Sequence, residues 1–169
     1  MVRILAPIVT ILLMASGHAR ADWEWTQWGM SPGQALAASQ GKAVSATAEE
    51  KQRRTYRRGF APIRVPQLVA EHRVAGADLQ AYLLFDANSA RLVCVDLLPK
   101  AGTALPSDLH ASLVGSLGAP VQEKRQQLPG VEWTTTTWTT DTDNVVLQQG
   151  GLGAKLQYCQ RDHGVVASR

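Results

Sequence analysis

The chain counts 169 residues, 17 of them basic and 14 acidic, with four histidines and two cysteines. Arg3 and Arg20 fall within an expected leader, so the rest is close to neutral. That argues against a nucleic-acid partner, because phosphate binding depends on neutralising many charges. Cys94 and Cys159, with His72, His110 and His163, lack the paired close spacing of a structural zinc site. Neither a metal nor a cofactor is expected.

Residues 1–21 read as a cleavable secretory signal. Arg3 gives a positive start, Ile4 to Ala15 form an apolar run broken by Pro7 and Thr10, and Ala19-Arg20-Ala21 supplies a small-x-small cleavage pattern. A dozen or so apolar residues fall short of the roughly 20 that cross a bilayer as a helix. The stretch from Leu13 to His18 holds no cysteine for lipid attachment. The expectation is a product starting at Asp22, periplasmic or secreted, without a stable membrane anchor. In such an oxidising compartment Cys94 and Cys159 can form a disulfide across roughly 65 residues, worth about 4 kcal/mol by chain entropy. The alternative is two separately buried thiols behaving as small hydrophobes.

After the leader, enough chain remains for one domain with a real core or two small repeats. In Asp22-Trp23-Glu24-Trp25-Thr26-Gln27-Trp28 an extended backbone would put Trp23 and Trp25 on one face. Ser31, Pro32 and Gln34 then make a capping-box start, and the helix continues through the alanines to a stop at Gly41. Residues 42–66 form a charged insertion, with Glu49/Arg53 and Glu50/Arg54 at helical spacing, read as a frayed helix or a loop. Gly59, Pro62 and Pro66 break regular structure. From Leu68 the period becomes two: strands are expected at Leu68 to Val74, Leu79 to Phe85 and Arg91 to Leu98, joined by short turns.

A similar order recurs. Pro106 and Ser107 open a helix striped by Leu109, Leu113 and Leu117 and ended by Gly118 and Pro120. Strands follow at Glu132 to Thr140, Asn144 to Gln149 and Ala154 to Gln160. Ala90-Arg91-Leu92-Val93-Cys94 even parallels Ala154-Lys155-Leu156-Gln157-Tyr158. The expected fold is α+β: two helix-strand-strand-strand repeats in an antiparallel sheet with helices on one face. The first unit spans 22–100, the second 101–162, and 163–169 is a loose tail.

Trp28-Gly29-Met30-Ser31-Pro32 running into a helix, the Phe85-Asp86-Ala87-Asn88 turn and Leu117-Gly118-Ala119-Pro120 at a helix end resemble small exported bacterial proteins with tandem helix-plus-meander repeats. The architecture resembles the β-lactamase inhibitor proteins, and each unit is similar to the small outer-membrane assembly lipoproteins. This chain lacks the cysteine that tethers the lipoproteins and has a different cysteine framework from the inhibitors, so no specific binding residue carries over. The resemblance implies partner binding in the cell envelope through a sheet face or loops.

Trp23, Trp25, Trp28, Trp133 and Trp138 cluster near the starts of the two units. Such rings fill a small core, and the alternative is an aromatic platform for a partner. Trp133 and Trp138, five apart in a strand, point to opposite faces. Arg53, Arg54, Arg57 and Arg58 offer bidentate recognition of phosphate or carboxylate, against the plainer role of a solvated surface. The candidate contact residues are thus Trp23, Trp25, Trp133, Trp138, Arg53, Arg54, Arg57 and Arg58. No nucleophile elbow, phosphate loop or paired-carboxylate pattern is present, and Cys94 sits in an apolar run that dulls a thiol. No catalytic residue is assigned and an enzyme is not expected. The leading expectation is an exported, soluble binding module for a protein or envelope component. An inhibitor of an extracytoplasmic enzyme is the second reading, and a small hydrolase the third.

Overall fold

A computed structural model describes residues 23–74, 76–100, 103–151 and 153–163. The expected leader and the tail beyond His163 lie outside these residues. Ser31 caps the first helix as its pattern predicts: its hydroxyl accepts from Gln34 N at 3.3 Å, and Gln34 Oε1 accepts from Ser31 N at 2.9 Å. Helix α1 spans Pro32–Ala38. The charged insertion that follows is ordered as strand β1 (Ala43–Ser45), helix α2 (Ala48–Arg54) and strand β2 (Tyr56–Arg58). Thr47 and Glu50 form a second capping box at the start of α2. The Glu49/Arg53 pairing inferred from spacing is present at 3.1 Å.

Strand β3 runs from Ala61 to Val74, seven residues longer at its start than the period of two predicts. The topology explains how it tolerates Pro66, while Pro62, opposite Arg57, precedes the β4 pairing that begins at Arg64. On its outer side β3 pairs with β2 over Ala61–Arg64 and with β1 over Leu68–Ala70, so Pro66 sits in the gap between two short partners. A missing N–H costs least there. Strands β4 (Ala77–Asp86) and β5 (Leu92–Pro99) complete the first meander.

Helix α3 covers Leu109–Leu117, with Leu109 and Leu113 buried. Four strands follow, not three: β6 (Gln122–Leu128), β7 (Val131–Thr139), β8 (Asp143–Gly150) and β9 (Gly153–Gln160), then a 3₁₀ turn at Arg161–His163. Residues 122–127 of β6 are all exposed, so the strand has no apolar alternation by which to be read.

The described residues form an α+β fold, with one nine-stranded antiparallel sheet and three α-helices. The strand order β1-β3-β4-β5-β9-β8-β7-β6, with β2 also on β3, joins the two meanders through β5 and β9. One face of the sheet buries Leu79, Leu83, Leu97, Leu147 and Leu156 against Trp23, Ala35 of α1, and Leu109 and Leu113 of α3. The other carries a smaller cluster of Ala46, Val69, Tyr82, Leu84, Val93, Cys94 and Cys159. Helix α2 buries no residue, and Arg54 lies over the Tyr82 ring on this second side. One-face placement of all the helices therefore fails at α2, whose polar sequence has no stripe to bury.

Cys94 and Cys159 stand directly opposite in the β5–β9 register and form a disulfide, Cα to Cα 4.0 Å. Both are fully buried.

Candidate functional site

The tryptophans divide between core and framework. Trp23 and Trp138 are buried. Trp25 meets Trp23 edge to face, centroids 5.9 Å apart, but through a turn instead of a strand: Glu24 has φ of 56°, and Thr26 N donates to Trp23 O. Trp28 Nε1 donates to Asp143 Oδ1 at 2.6 Å, and Trp138 Nε1 donates to the Gly118 carbonyl at 3.0 Å. Trp133 points to the opposite side from Trp138, as strand alternation requires, and its ring lies over Gly150. A β-carbon at Gly150 would sit 2.2 Å from Trp133 Cε3 and 2.6 Å from the Glu132 carbonyl. Gly150→Ala is therefore expected to cost about 2 kcal/mol through overpacking, read as a lower melting temperature together with altered tryptophan fluorescence. An unchanged melt would show that the β7–β8 backbone yields freely.

His72 on β3 lies beneath this aromatic segment. Its Nδ1 is 3.5 Å from Glu24 Oε1, and its ring packs on Trp23 at 5.2 Å. Burial lowers its pKa, with the Glu24 charge opposing. The unfolded chain then binds the proton more readily than the fold, so His72 favours the fold above its ordinary pKa and loses that contribution as pH falls below about 6.5. Urea midpoints at about pH 7 and about pH 5 should differ less in His72→Gln than in the native chain. Equal pH dependence in the two would remove His72 as the cause.

Arg53, Arg54, Arg57 and Arg58 come together on one arm, α2 with β2, and all are exposed. Arg53 pairs with Glu49, and the Arg54 guanidinium is 5.2 Å from the Tyr82 ring centroid. Arg57 Nη1 donates to the Phe60 carbonyl at 2.9 Å. Phe60, at the tip of the β2–β3 hairpin, is 100 % exposed. Reasoning from charge passed over this ring. The signal was a lone aromatic between Arg58-Gly59 and Pro62.

The base of the arm is fixed by groups far apart in sequence. The Tyr56 hydroxyl donates to Asp96 Oδ2 at 2.5 Å and accepts from Lys155 Nζ at 2.9 Å. Gln157 Nε2 donates to Asp96 Oδ1 at 2.6 Å. Asp96 and Gln157, opposite each other on β5 and β9, are both buried. Burial, reinforced by the Asp96 charge, holds the Tyr56 phenol well above the ordinary tyrosine range. Next to this network Arg64 reaches Cys159 Sγ at 3.7 Å and donates to the His163 carbonyl. Burial lowers its pKa, while the charges of Tyr56, Asp96 and Asp86 oppose the shift.

An open cleft of about 590 Å³ flanks the arm, lined by Arg54, Leu98, Lys100, Leu105, Gln149 and Gly150 among others. Lys100 is held by Glu71 at 2.6 Å. Among the described residues no group of three or more His, Cys, Asp or Glu is placed to hold a metal ion. What the arrangement offers is a rigid, cationic projection with an apolar tip. Set against known protein families, curated proteins and solved structures, the chain matches none of them.

Proposed function

We propose that this chain is an exported, soluble module that binds a protein or another component of the cell envelope, with the α2–β2 arm as its contact surface. The observation that carries this reading is Phe60, fully exposed between arginine-bearing β2 and Pro62 on an arm anchored to the buried Asp96. A fold under no functional demand gains nothing by holding an aromatic ring in water at the end of a fixed hairpin. The buried disulfide is in keeping with an oxidising compartment, and no described helix is long and apolar enough to cross a membrane.

The test is a photo-cross-linking side chain placed at Arg58 in producing cells, compared with the same group at exposed Ser112 on α3. Adducts specific to position 58 are expected. Equal adducts at both positions, or none from 58, would overturn the reading. Recovery of a single hydrolytic enzyme, inhibited by the pure protein, would turn it towards inhibition.

A further inference from the structure

Phe60 is the one large apolar residue among the described residues that is wholly exposed; Leu36, Val44 and Val121 are partly covered. It stands at a two-residue turn, where Gly59 takes φ of 60° and Arg58 pairs with Ala61. From Lys51 to Phe60 the chain contains no Asp or Glu, yet holds Lys51, Arg53, Arg54, Arg57 and Arg58. The acids that come near are engaged. Glu49 pairs with Arg53, and Glu50 caps Thr47. Asp86 lies further back, opposite buried Arg64 in the ladder and acting on its charge. Asp96 is buried under Tyr56. The tip therefore presents uncompensated positive charge around an apolar ring.

We propose that this tip docks reversibly on an anionic phospholipid surface, with Phe60 entering the headgroup layer and Arg57 and Arg58 meeting lipid phosphates. The proposal rests on the binding-module reading and names its partner. Shape favours lipid over protein. Aromatic anchors in protein interfaces fill pockets inside a ring of contacts that excludes water, whereas Phe60 stands wholly exposed at the tip, with only the small Ala61 and Pro62 exposed beside it in sequence. A fluid bilayer closes around a projecting ring and needs no matching pocket. Guanidinium groups suit phosphate by their bidentate geometry, and the anionic surface adds attraction for each cation within a Debye length. The clamp from Tyr56 to Asp96 holds the tip in place beforehand, so little ordering is lost on contact.

The experiment is co-sedimentation of the full mature chain with vesicles of phosphatidylglycerol and phosphatidylcholine in equal parts, and with phosphatidylcholine alone. Retention is expected on the first and not the second, and it should weaken as salt is raised. Neutralising Arg57 and Arg58 together (Arg57→Gln, Arg58→Gln) should lower partitioning about 25-fold, roughly fivefold for each charge. Phe60→Ser should lower it roughly fivefold. These side chains are exposed, so an unchanged circular dichroism spectrum serves as the folding control. Lack of retention at low salt overturns the proposal, as does retention indifferent to Phe60→Ser. Protein adducts from position 58 without vesicle binding would sink the lipid partner and leave the binding-module reading standing; lack of any adduct from that position would sink the reading itself.

Discussion

Replacing Cys94 and Cys159 together by alanine is expected to lower stability by about 4 kcal/mol, which for a domain of this size lowers the melting temperature by on the order of 10–15 °C. The bond closes a loop with a sequence separation of 65, so the unfolded chain loses much freedom when it is intact. Its position adds to the effect. The two meanders share a single ladder, β5 with β9, paired only over Cys94–Leu97 and Leu156–Cys159. The second-face cluster is built around both sulfurs, which are fully buried. Truncation to alanine therefore removes packed volume as well as the crosslink. The double substitution avoids a stray thiol, and calorimetry of both proteins under non-reducing conditions provides the comparison. A shift of only about 3 °C would mean that the sheet and its core hold the halves together unaided.

Asp96→Ala comes next in expected effect, with a loss of about 3 kcal/mol. The carboxylate accepts from Tyr56 at 2.5 Å and from Gln157 at 2.6 Å. Its removal leaves a buried Gln157 N–H and the half-buried Tyr56 O–H without this acceptor, an unpaired buried donor costing about 1–3 kcal/mol. Asp96→Asn keeps the volume and one acceptor oxygen, so its loss should be smaller. The two substitutions are separated by hydrogen exchange. In the alanine variant the amides of Tyr56 to Arg64 should exchange faster, since the arm has lost its clamp, while those of β7 and β8 stay protected. Uniform acceleration across the molecule would instead show that Asp96 supports the whole sheet and not the arm in particular.

The same network sets the alkaline limit. Tyr56 keeps its proton in the fold because burial, then Asp96, opposes ionisation. Tyr158 is raised likewise by burial, with Asp143 contributing. Above about pH 10 the unfolded chain releases protons that the fold retains, so stability present below that pH is lost as pH rises. Unfolding followed between about pH 9 and about pH 11 should show a gentler decline in Tyr56→Phe than in the native chain. Parallel declines would assign the effect to other groups.

Much of this fold could be read from short-range chemistry. Ser31 and Gln34 announce α1, Leu109 and Leu113 the buried stripe of α3, and Asp86 to Ser89 a turn in which the Asp86 carboxylate accepts from Asn88 and Ser89. Thr47 and Glu50 carry the capping signal again, yet the helix they start has no apolar stripe and was open to reading as a loop. Strand β6 escaped because residues 122–127 are exposed on both faces, and the start of β3 because Pro66 falls in the gap between β1 and β2 and Pro62 precedes the pairing with β4. The arm's anchor was beyond reach for another reason. Tyr56 and Asp96 are 40 residues apart, Asp96 and Gln157 61, and their meeting follows from register alone. The arginine cluster was visible as a run of charge. That it frames Phe60 follows from a hairpin only the fold defines.

The order of strands also has a temporal side. Hairpins between sequence neighbours, β3 to β5 and β6 to β9, close short loops, whereas β5 and β9 must find each other across the whole second half of the described chain. Cys94 and Cys159 belong to that long-range ladder, not to either local hairpin set. In the fold the bond lies across the one ladder that joins the two meanders. An oxidant acting before that ladder forms would meet two thiols that it does not yet hold together.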